Sequence, residues 1–153
     1  RSRFWGSTST GRDMVRGMVM RLVILESPYA GDVARNLAYA RACMADCLAR
    51  GEAPYASHLL YAQPGVLDDT KPDERALGMA AGFAWGERAD ATVVYTDLGT
   101  SAGMAAGIEQ AKAAGRTVEM RTLICGALQY DDPIWRTLMP PDTTGFQSKR
   151  PRE

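Results

Sequence analysis

Soft metal ligands and unbalanced charge are what this chain has least of. It holds one histidine, His58, and three cysteines, Cys43, Cys47 and Cys125. Cys43 and Cys47 sit one helical turn apart, but too few partners remain to complete a metal site, so no metal is expected. An odd number of cysteines argues against a disulfide framework and for a reducing, cytoplasmic setting. No apolar run approaches the ~20 residues of a membrane span. No apolar segment follows the N-terminal basic residues as a secretory signal requires. Acidic and basic residues number 18 each, for a formal net charge of zero. Neither nucleic acid nor an anionic membrane is recommended as a partner by such a balance. Nothing in the sequence asks for a cofactor.

What the chain does contain is an ordinary globular composition, 46% hydrophobic and 24% charged, in a length that suits one domain with a real core. The first strand is read at 21–26, RLVILE, whose four consecutive branched aliphatics suit a central position. SPYAGD follows as a loop, and Asp32 is placed to cap a helix over 33–50. That helix carries Val33, Leu37, Ala40, Met44 and Cys47 or Leu48 on one stripe, and Gly51 ends it. A second, shorter strand is expected around 55–60, with His58 near its end. A Pro-, Gly- and Asp-rich loop over 61–72 leads into a helix over 73–88. Thr70 and Asp73 have capping-box spacing there. Leu77, Ala80, Ala81, Ala84 and Trp85 are expected to face inward. Tyr39, Tyr55, Tyr61 and Tyr95 also read as core.

Residues 91–109 form the segment on which the rest turns. Ala91–Thr96 is an apolar run suited to a strand covered on both faces. Asp97 ends it, Gly99 and Gly103 permit close turning, and Thr100 or Ser101 caps a helix over 101–114. A last strand is expected at 117–123. The alternation β-α-β-α-β-α-β predicts an α/β fold. It is a mostly parallel, Rossmann-like sheet of four to five strands, with helices on both faces and the first and third strands adjacent. Ligands in such sheets bind beyond the carboxyl ends of strands where strand order reverses. The loops at 26–32 and 97–103 qualify. Glu26, Asp32 and Asp97 are the candidate catalytic carboxylates at that edge. Ser27, Tyr29, Gly31, Asn36, His58, Gly99, Thr100, Ser101 and Gly103 are candidate substrate contacts, and Glu26, Tyr29, Asp32, Asp97 and Ser101 are expected to line one cleft. The helix starting near Ser101 turns its free N–H groups toward the same edge.

SPYAG at 27–31, Asn36, the GxxP turn at 51–54, then DLGTSAG at 97–103 with its helix and GRTV at 115–118 together resemble the nucleoside 2-deoxyribosyltransferase-like superfamily. The likeness is greatest to small, mostly phage-associated members of unestablished function, and it covers roughly residues 21–121. It implies a flavodoxin-like sheet, exchange or removal of a base at C1′ of a deoxyribose, and sites completed by a neighbouring subunit. Asp97 fits the family's acidic position, Tyr29 its aromatic contact, and Ser101 and Gly103 its turn. The family's nucleophilic glutamate would fall at 103 or 107, depending on how the turn is aligned, and this chain has Gly103 and Gly107 there. Glu109 lies two residues further on, rotated by about 200° on a helix.

Three functions follow as expectations. One is a transferase or hydrolase acting on the N-glycosidic bond of a nucleoside or nucleotide. The second is a non-catalytic protein that binds and sequesters a nucleotide derivative. The third is a structural homo-oligomer with a vestigial pocket. Self-association is expected from the Pro-rich apolar arm at 124–153, with Ile134 and Trp135 docking on a neighbour. Residues 1–20 read as a leader, disordered or non-native, with Met18 or Met20 a natural start.

Overall fold

The computed structural model describes residues 19–123. Residues 1–18 and 124–153, read above as a leader and an arm and including Cys125, Ile134 and Trp135, lie outside the described residues.

Strand β1 (Arg21–Glu26) and strand β2 (Glu52–Tyr55) are joined by helix α1 (Val33–Ala49). The short helix α2 (Ser57–Leu60) and helix α3 (Pro72–Gly86) lead to strand β3 (Ala91–Tyr95). Helix α4 (Ala102–Ala113) then connects to strand β4 (Thr117–Arg121). The four strands form one parallel sheet in the order β2-β1-β3-β4. Registers are Arg21 to Glu52, Val23 to Ala91, and Ala91 to Thr117. The chain therefore reverses its direction of travel across the sheet between β1 and β3, and these two strands are adjacent as expected.

Period-two alternation divides the sheet into two unlike faces. Val23, Leu25, Ala91, Val93 and Tyr95 point one way and pack with Tyr39, Cys43 and Cys47 of α1 in a dry core. Full burial of each aliphatic there is worth about 1.5–3 kcal/mol. Ile24, Glu26 and Thr92 point the other way, toward α3 and α4. Both α1 thiols are buried and free, as small apolar residues on a helix face. The charges on the α1 side are paired: Arg121 donates to both oxygens of Glu52 at 2.7 and 2.8 Å.

Four expectations are corrected here. Residues 55–60 are not a strand; β2 is 52–55, and His58 lies in α2. YASHLL is too short an apolar run for periodicity to separate strand from helix. The preceding EAPY takes the sheet's edge, where Pro54, lacking an N–H, is tolerated. On α3 the inward face is not the expected one. Leu77 is 61% and Trp85 54% exposed, while Gly78, Met79, Gly82, Phe83 and Gly86 are turned inward or partly covered. Glycines four apart let the helix sit close to its neighbours, and a Cβ on Gly82 would already lie 3.1 Å from Ser57. Thr70 does not open a capping box; its N–H and hydroxyl both donate to Asp68. Among the tyrosines, Tyr39 and Tyr95 are buried as expected, whereas Tyr55 and Tyr61 are half-buried.

Candidate functional site

The local sequence explains how the cavity edge is built. Asp32 caps α1 by accepting from the Arg35 N–H at 3.1 Å. Ser101 caps α4 by accepting from the Met104 N–H at 3.3 Å. Gly31 and Gly99 take φ of +94° and +83°, which the two turns require. A cavity of about 210 Å³ opens beyond the carboxyl end of β1, between the sheet, α2, α3 and the start of α4.

Of the five residues expected to line one cleft, Glu26, Tyr29 and Ser101 do and Asp32 and Asp97 do not; of the twelve candidate site residues, six line this cavity, with Ser27, His58 and Gly103 the other three. The other six do not. Asp97 is turned to the opposite face, where its carboxylate accepts the Tyr39 hydroxyl at 2.5 Å and the Leu123 N–H at 3.0 Å. Alternation accounts for this, since Asp97 shares parity with Val93 and Tyr95, the α1 side. It ties the end of β3 to α1 and to the chain after β4. Asp32 is exposed and occupied as a cap. Asn36 is buried and donates to the Tyr29 and Ala30 carbonyls, both at 2.9 Å, so it shapes the loop from behind. Gly31, Gly99 and Thr100 are exposed turn residues.

The carboxyl of Glu26 dominates the cavity wall. It is largely withdrawn from water between β1 and α4, and no hydrogen bond to it forms among the described residues. Burial raises its pKa from 4.5 to about 7, and the positive charge of Arg116 opposes the rise without cancelling it. Arg116 forms no direct pair with Glu26. Its donors go to Thr92 Oγ1 at 2.9 Å, the Gly86 carbonyl at 2.7 Å and Gln110 Oε1 at 2.7 Å. Beside Glu26, the Ser27 hydroxyl lies 2.8 Å from His58 Nε2. Burial lowers His58 to about 4, so the imidazole is neutral at physiological pH. The Tyr29 and His58 rings stand 6.3 Å apart at a 59° tilt, and the Tyr29 hydroxyl donates to the Ala62 carbonyl at 3.2 Å. Across the cavity, Arg75 pairs with Asp69. Among the described residues, no cluster of His, Cys, Asp or Glu could hold a metal ion.

Gly107, Arg116 and the Asp69–Arg75 pair were missed from sequence as elements of the cavity. One usable signal was the i, i+4 spacing of Gly78, Gly82 and Gly86, which marks the side of α3 that must approach other groups. Arg116 sits in a turn and carries no local sign of its role.

Glu26 and His58 act on stability with opposite signs. Glu26 binds its proton more tightly in the fold, so its contribution is full below pH 4.5 and is lost as pH rises through about 7. His58 binds its proton less tightly, so its contribution is present above pH 6.5 and is lost as pH falls through about 4. The two nearly cancel between these limits, and a variant is needed to separate them. The stability gain of Glu26→Gln over the unaltered chain is expected to grow by about 3 kcal/mol from about pH 4 to about pH 8. Urea unfolding at both pH values measures it. A gain that does not change with pH contradicts the burial of this carboxyl.

No helix among the described residues is long and apolar enough to cross a membrane. No curated protein matches the chain, and no solved structure matches it. Residues 21–121, the sheet with its helices and the cavity, match a family model described as Domain of unknown function (DUF7768). That match covers more than half of the sequence, and the chain belongs to this family.

Proposed function

We propose that the chain is an enzyme acting on the N-glycosidic bond of a nucleoside or nucleotide, as a hydrolase or a deoxyribosyltransferase, with Glu26 as the catalytic carboxylate. One observation carries the reading: the Glu26 carboxyl is largely withdrawn from water, has no hydrogen-bond or salt-bridge partner among the described residues, and lines the cavity at the point where strand order reverses. Its oxygens lie against Gly107, one of the two positions where the resemblance to nucleoside 2-deoxyribosyltransferase-like proteins calls for a glutamate. A carboxylate in that place suits attack at C1′. The C1′–N bond breaks with its electron pair going to the base, which takes up a proton from water. A glycosyl ester forms on Glu26, and water or a second base then displaces it. Tyr29 and neutral His58 offer ring faces for the base, and Ser27 holds the imidazole in place.

A second reading, a non-catalytic protein that sequesters a nucleotide derivative, is supported by a specific observation. Glycosidases use paired carboxylates, whereas here Asp97 and Asp32 are engaged elsewhere and Asp69 is paired with Arg75. The third reading, a structural homo-oligomer with a vestigial pocket, predicts no ligand at all. Self-association belongs to all three. The outward face of α3, with Leu77 and Trp85 exposed, supports a symmetric dimer or higher form. Light scattering at micromolar protein should give a multiple of the monomer mass, and a monomer would remove this element. Free buried thiols at Cys43 and Cys47 suit a cytoplasmic setting, and the phage association of the resembling proteins makes a phage origin part of the proposal.

The deciding experiment incubates purified protein with nucleosides and nucleotides and measures thermal shift and release of free base. The enzyme reading expects release with kcat/KM rising through about pH 7, because only ionised Glu26 attacks. Glu26→Gln should lower release by on the order of 10³-fold or more while thermal shift persists. Asp97→Asn should leave release within a few-fold. Thermal shift without release favours the binder, and neither favours the vestigial pocket.

A further inference from the structure

Gly107 lies in the middle of α4, where glycine is about 1 kcal/mol less favourable than alanine. Its backbone does not call for glycine, since the residues of positive φ are Gly31, Gly51, Gly65, Gly99 and Gly115. What calls for it is space. A Cβ built on Gly107 would lie 2.2 Å from Glu26 Oε1, 2.6 Å from Cδ and 3.2 Å from Oε2. Among the described residues no other helical glycine is approached so closely; a Cβ on Gly103 would meet the far end of Arg75 at 3.0 Å and Ser101 Oγ at 3.8 Å.

We propose that Gly107 is a positioning residue. The missing side chain leaves a notch in α4 that receives the Glu26 carboxyl, so that β1 delivers a carboxyl to a place that a side chain from α4 would otherwise fill. The proposal deepens the catalytic reading of Glu26 and rests on it for its functional consequence, but not for its geometry. Any side chain at 107 evicts the carboxyl into the cavity, where water solvates it and the dry contact with α4 is lost. Because the displaced atoms are the end of a flexible side chain, the effect falls on the position of the carboxyl and not on the backbone.

The test compares Gly107→Ala, Glu26→Gln and the unaltered full-length chain by urea unfolding at about pH 4 and about pH 8. Gly107→Ala should lose the pH dependence that Glu26 imposes and track Glu26→Gln, because an evicted carboxyl titrates near its ordinary value. Gly103→Ala should keep the pattern of the unaltered chain. A Gly107→Ala variant that keeps this pattern too overturns the proposal. Should Gly107→Ala fail to fold, the double variant Glu26→Ala/Gly107→Ala decides. With the carboxyl gone it should fold as well as Glu26→Ala alone, and failure to fold there overturns the notch. In a base-release assay, Gly107→Ala should lose about 100-fold in rate, the scale for a misplaced reacting group. If the unaltered chain releases no base, the glycosidic reading fails while the urea comparison still judges the notch.

Discussion

A half-buried carboxyl group with no hydrogen-bond partner among the described residues is the feature around which this fold is arranged. Ionising a buried carboxyl without a partner is costly, and a chain selected only for stability would place an apolar residue at the end of β1. Everything around Glu26 nonetheless keeps it there. The strand fixes its direction, the absent side chain of Gly107 makes room for it, and Arg116 gives its donors to Thr92, Gly86 and Gln110 and not to Glu26. Perturbed groups in clefts are commoner at functional sites than elsewhere. Here the perturbation coincides with a cavity and a reversal of strand order.

The two faces of the sheet divide the labour. The α1 side carries stability: a close-packed apolar core, with Asp97, Glu52 and Asp46 each bound to specific donors. Toward α3 and α4 the sheet presents fewer large apolar groups, three glycines along α3, an open cavity and two groups whose protonation is shifted in opposite senses. The fold therefore keeps its unsatisfied chemistry on the side where loss of packing costs least.

The fold was legible because its strongest signals are local. The branched aliphatics of β1, the valines of β3, and the caps at Asp32 and Ser101 each report on a few neighbouring residues, and β-α alternation does the rest. The site was legible only in part. The strand-end rule points to the edge of the sheet where the cavity opens, and Glu26, Ser27, Tyr29 and Ser101 line that cavity. Parity along the strand, available in ATVVYTD, would have turned Asp97 away from Ile24 and Glu26 and toward Val93 and Tyr95. His58 lines the cavity from α2 and not from a strand, because a six-residue apolar run does not tell strand from helix. The face of α3 was misread because hydrophobic periodicity counts Leu77 and Trp85 as inward, whereas close approach favours the side with Gly78, Gly82 and Gly86. The contact between Glu26 and Gly107 joins residues far apart in the chain and has no signature in sequence.

The central claim is that Glu26 is a buried carboxyl poised near neutrality on the cavity wall. Titration of its side-chain carboxyl carbon by NMR, assigned with Glu26→Gln, addresses this most directly. The account predicts a midpoint of about 7. A midpoint near 4.5, the ordinary value for a glutamate in water, would contradict it and leave the cavity without its candidate reactive group.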